Sequence, residues 1–64
     1  MCLSAVYTTE TDGQRNLVCE SVSEVDVKGD TVVLTDILGR DVTVRGVITK
    51  IDLIRNNILI GKPV

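Results

Sequence analysis

The sequence predicts an all-β fold: a small antiparallel meander that curls into an SH3-like half-open barrel of five to six strands. Three observations lead there. The apolar content is 44% and comes almost entirely from Val, Ile and Leu, with no Phe or Trp and Tyr7 as the single aromatic residue. A core of medium-sized branched side chains fits pleated strands better than helices. Short apolar/polar alternations recur, separated by turn residues about every eight to twelve positions, and no stretch carries a credible long helix.

The strands follow in order. Leu3, Ala5 and Tyr7 alternate with Ser4, Val6 and Thr8, which predicts a first strand over residues 3–9. Glu10 to Gly13 reads as a turn, with Gly13 free to adopt positive φ. Residues 14–21 are ambiguous, since Leu17, Val18 and Cys19 suit either a short strand or one helical turn. Beyond them, Ser23, Val25 and Val27 are expected on one face, with Val22, Glu24, Asp26 and Lys28 on the other. Gly29-Asp30 is a two-residue hairpin signal. A strand over residues 31–38 follows, then a tight turn at Gly39-Arg40, then Val42 and Val44 alternating with Asp41, Thr43 and Arg45. Gly46 interrupts the pattern. Residues 47–54 form the next predicted strand, with Lys50 and Asp52 outward, and after a turn at Arg55-Asn56-Asn57 the last strand is Ile58-Leu59-Ile60.

Residues 1–64 are read as a single domain with a thin core, because a chain this short buries only about 60% of its unfolded surface. Such domains commonly lean on a metal, a disulfide or a partner. The triplets Val32-Val33-Leu34 and Ile58-Leu59-Ile60 are apolar on both strand faces, so one face of each is expected to meet water or a second subunit.

Charge and residue usage prune the function classes. The net charge is -2, and the seven Lys and Arg residues are scattered, leaving no footprint for a phosphate backbone or an anionic membrane. No signal peptide or membrane-spanning run is present, so a cytoplasmic location is the expectation. There is no His, hence no imidazole metal site and no Ser-His-Asp triad. The five glycines stand alone, and two cysteines cannot make a four-cysteine zinc site within one chain. Glu24 with Asp26, and Asp36 with Asp41, read as solvated or turn carboxylates, so no catalytic residue is assigned and no enzymatic activity is expected.

Cys2 is the candidate metal ligand. A thiolate one residue from the chain start lies within chelate reach of the terminal amine and the first backbone amides. With Met1 removed, the Cys2 amine and thiolate close a five-membered ring that the Leu3 amide could extend. With Met1 retained, its amine, the Cys2 amide and the thiolate form a similar set. Nitrogen and sulfur donors suit Ni(II), Cu or Zn(II) rather than Mg or Ca. One chain offers at most three such donors, and a second Cys2 across a two-fold dimer would complete four. The competing reading makes Cys2 a small hydrophobe packed on the first strand. Cys19, among Leu17, Val18 and Val22, is read as structural, and a Cys2–Cys19 disulfide is left to geometry.

Met1-Cys2 opening directly onto a strand, the hairpin spanning Val25 to Leu34, and the closing Ile51-Asp52-Leu53 and Asn57-Ile58-Leu59-Ile60 resemble the CooT family, small nickel-binding accessory proteins of carbon monoxide dehydrogenase maturation. The resemblance implies a homodimeric β-barrel that binds Ni(II) through Cys2. It also implies partners in carbon monoxide dehydrogenase or its maturation proteins, with support of nickel insertion as the role. The alternative is a small RNA-binding barrel, which would require a basic stripe and stacking aromatics that this sequence supplies only at Tyr7.

Overall fold

The computed structural model describes residues 3–63. Six strands form one sheet: β1 (Ser4–Thr9), β2 (Arg15–Lys28), β3 (Thr31–Asp36), β4 (Asp41–Arg45), β5 (Val47–Asp52) and β6 (Asn57–Gly61). Their order across the sheet is β4-β3-β2-β1-β6-β5. The all-β expectation holds, with one difference in topology. β1 and β6 run parallel, while the remaining neighbours are antiparallel, so the sheet is mixed. A parallel neighbour cannot be reached by a hairpin, and here the whole intervening chain serves as the crossover.

The sheet curls without closing into a barrel. β4 and β5 are its two edges and do not pair, yet Gly46 alone separates them in the chain. The two edges therefore have to come round toward each other. Gly46 N–H donates to the Asp30 carbonyl at 2.7 Å, which pins the junction to the β2–β3 turn. Inside the curl lies the core: Val6, Val32, Leu34 and Ile60 are fully buried, with Val22 and Ile58 beside them. Burying each such side chain is worth roughly 1.5–3 kcal/mol relative to exposure.

The ambiguous stretch 14–21 is the first half of β2, a single strand of 14 residues. A bulge bends that strand between Val22 and Glu24, and Ser21 there adopts φ 56°. An extra residue in one strand shifts the alternation by one. That is why Val22, expected with Glu24 and Asp26, is buried instead, on the same side as Val25, while Ser23 is exposed and its hydroxyl donates to the Thr35 and Asp36 carbonyls.

Three expectations for the second half of the chain are corrected. The strand expected over 31–38 stops at Asp36, and Ile37 and Leu38 lie in the following turn. The strand expected over 47–54 stops at Asp52, and a bulge between Ile48 and Lys50 leaves Ile51 exposed. Leu53 and Ile54 lie in the following turn, 81% and 94% exposed. The triplet Ile58-Leu59-Ile60 turns neither face to water, because all three residues are buried. β6 is an inner strand, and on its outer side Leu59 sits beside Tyr7 in register while Arg15, Lys50 and Arg55 gather around it. Long cationic side chains cover apolar surface with their stems while their charged ends stay wet.

Candidate functional site

The chain enters the fold between two elements. Ser4, at the start of β1, lies opposite Val22 of β2. On its other side, the Ala5 N–H donates to the Asn56 carbonyl at 2.9 Å. The entry to β1 is thus held against the β5–β6 turn. Cys2, on which the sequence places the metal chemistry, lies outside the described residues, as does any pairing of Cys2 with Cys19.

That turn is built by its first residue. Asp52 Oδ1 accepts the N–H groups of Ile54 at 3.1 Å and Arg55 at 3.0 Å, and Arg55 Nη1 stands 3.5 Å from Asp52 Oδ2. The N–H of Arg55, then that of Ile54 and the Arg55 and Lys50 charges, hold the Asp52 carboxyl below the usual carboxylate range. Asn56 completes the reversal at φ 56°, a region Asn tolerates because its short side chain can bond locally. The turn presents Leu53 and Ile54 to solvent, in the segment whose Asn56 carbonyl receives the Ala5 N–H. Local pattern assigned both residues to a strand, so this apolar projection was not legible in the sequence.

The β3–β4 turn repeats the device. Asp36 is buried, and its Oδ1 accepts the N–H groups of Leu38 and Arg40, while Arg40 Nε donates to Oδ2 at 2.8 Å. The Arg40 backbone bond, followed by its guanidinium, lowers the Asp36 pKa from the ordinary value. Asp41 accepts a hydrogen bond from Thr35 Oγ1 at 2.8 Å. Asp36 and Asp41 therefore organise a hairpin, and Asp26 pairs with Lys28 at 3.7 Å on the surface. Of the carboxylate pairs noted in the sequence, Asp36 and Asp41 are thus turn-building residues.

Cys19 is half-buried, packs against the core and lies opposite Val6; its thiol points toward the Glu20 carbonyl at 3.7 Å. This is the structural placement the sequence implied. Among the described residues no three His, Cys, Asp or Glu side chains converge as a metal site. Nor is there, among them, a helix long and apolar enough to cross a membrane.

The family model of the CO dehydrogenase accessory protein CooT matches residues 1–61. The chain belongs to the CooT family. It is therefore related to accessory proteins of CO dehydrogenase. A crystal structure assigned as CooT from Carboxydothermus hydrogenoformans superimposes with a TM-score of 0.86, covering 98% of this chain and 100% of that one at 19% identity. At that identity the likeness carries the fold, while family membership rests on the match along the sequence. No curated protein matches the chain.

Proposed function

We propose that this CooT protein is a cytoplasmic nickel-binding accessory protein that supports nickel insertion into carbon monoxide dehydrogenase. In this reading Ni(II) is cargo, held by the Cys2 thiolate with terminal-amine and backbone nitrogens of the chain start. The observation that carries the reading is the family match over residues 1–61, which takes in Cys2. The chemistry agrees, since mixed nitrogen and thiolate donors suit Ni(II). Intrinsic affinity would favour Cu(II), so selectivity must come from geometry and metal supply. The ligands must lose protons to bind, and affinity therefore rises with pH.

The site is shared between two copies in this proposal. One chain end offers at most three good donors, and a second Cys2 completes four. The exposed Leu53 and Ile54 belong to the turn whose Asn56 carbonyl accepts the Ala5 N–H, and they supply apolar surface for the contact. Carbon monoxide dehydrogenase or its maturation proteins are the partners to which the metal passes.

Titration of Ni(II) into the untagged protein should produce a thiolate-to-nickel charge-transfer band in the near-ultraviolet. Cys2→Ser should abolish the band and leave far-ultraviolet circular dichroism unchanged, whereas Cys19→Ser should retain it. Undiminished nickel binding by the Cys2→Ser protein would overturn the proposal.

A further inference from the structure

β2 is longer than either of its neighbours, and among the described residues each half of it, apart from Val22 where they meet, is paired on one side only. Its first half, from Arg15, pairs with β1, and its second half, from Val22 to Lys28, pairs with β3. The β3–β4 hairpin stops where the Ile37 N–H donates to the Ser21 carbonyl at 3.0 Å. Between Arg15 and Glu20, the edge of β2 turned away from β1 therefore pairs with no strand among the described residues. That is six residues of open ladder, about 20 Å long.

A groove of 620 Å³ runs beside the Val18–Glu20 part of this edge. Val18 and Cys19 form one wall, and Ile37, Leu38 and Val42 form the other. Ile37 and Leu38 are 56% and 73% exposed, although they border a cleft that continues into the core packing of Val18 and Cys19. The polar lining is acidic: Glu20, Asp36 and Asp41 stand against Arg40 alone, and Arg40 is already bonded to Asp36. An unpaired ladder invites strand addition, in which backbone bonds supply affinity and alternate side chains supply specificity.

We propose that this groove receives an extended segment of a partner protein, added as a strand along Arg15–Glu20 of β2. Its aliphatic side chains alternate into the wall formed by Ile37, Leu38 and Val42, and a Lys or Arg lies against Glu20 and Asp41. Glu20 and Asp41 have no ion-pair partner among the described residues, and this unneutralised charge in the groove selects a basic partner segment, with strand pairing to a second copy as the competing outcome of the test. The proposal does not depend on the nickel reading.

The test pans a displayed library of random nonapeptides against the whole protein and against the Glu20→Lys/Asp41→Lys variant, both changes being at exposed positions. Enrichment of alternating aliphatic sequences carrying Lys or Arg is expected on the wild type. The best of these, synthesised, should shift the amide NMR signals of Arg15–Ser21 and Ile37–Val42. Its affinity should fall about tenfold or more on the double variant, two close charge contacts in water being worth that much. N-methylation at alternate residues, in either phase, should abolish binding in one phase and spare it in the other. The proposal is overturned if no such sequences enrich, if the signals that move lie elsewhere, or if the double variant binds as well. Equal binding by both N-methylated forms overturns it too, as does protection of the Arg15–Glu20 amides by self-association before peptide is added.

Discussion

Gly46 joins the two edges of the sheet, and its replacement by Ala tests whether the curl is set there. A Cβ built at Gly46 would overlap the Gly61 carbonyl oxygen and stand 2.6 Å from Ile60 Cγ2. The first obstacle is the backbone of an inner strand, and the second belongs to a side chain only 1% exposed. Neither can move without displacing β6 from β1 and β5. Overpacking of this kind costs about 1–3 kcal/mol and sometimes more. A domain of this length has roughly 3–10 kcal/mol to lose, and each kcal/mol lowers Tm by about 4–8 °C. Gly46→Ala should therefore melt on the order of 10 °C below the wild type in far-ultraviolet circular dichroism. Gly13→Ala is the comparison, with φ +87° and open space around the added methyl. Its cost is that of left-handed backbone alone, about 1–2 kcal/mol. Should Gly46→Ala melt at or above the temperature of Gly13→Ala, the close approach of Gly46 to β6 would not govern the closure of the fold.

Leu34→Ala empties a fully buried position in β3 and should cost about 2–5 kcal/mol by urea denaturation, enough to unfold much of the population. The Asp36 carboxyl has a folded pKa below its ordinary value, so its stabilisation is present above the unfolded pKa and is lost as pH falls through the folded one. Asp36→Asn should lower the urea midpoint near neutrality and flatten its decline below about pH 4; an unchanged acid limb would refute this role. Leu53→Asp with Ile54→Asp should weaken nickel-dependent association in sedimentation measurements while leaving Tm nearly unchanged, since both side chains are exposed.

Much of the fold was legible because strands write a period of two into the sequence and turns need particular residues. Val44 fell where alternation put it, and the Gly29-Asp30 turn closes the hairpin its sequence announced. Reading failed at the bulges in β2 and β5, where one extra residue reverses the phase and no composition signal marks it. It failed also at Asp36 and Asp52, each of which ends a strand early by capturing two backbone N–H groups. For the candidate site, the sequence singled out Cys2 through its place in the chain, a covalent fact that needs no fold. It could not show that Ala5, at the entry to β1, would bond to the β5–β6 turn.

Local pattern and composition were thus enough to establish an all-β chain, its turns and a thin aliphatic core. The parallel pairing of β1 with β6, the burial of Leu59, the exposed Leu53 and Ile54, and the open edge of β2 were decided by tertiary structure alone. The reason is physical. Alternation reports which side of a strand is apolar, but whether that side meets core, cationic stems or water depends on which distant strand lies beside it.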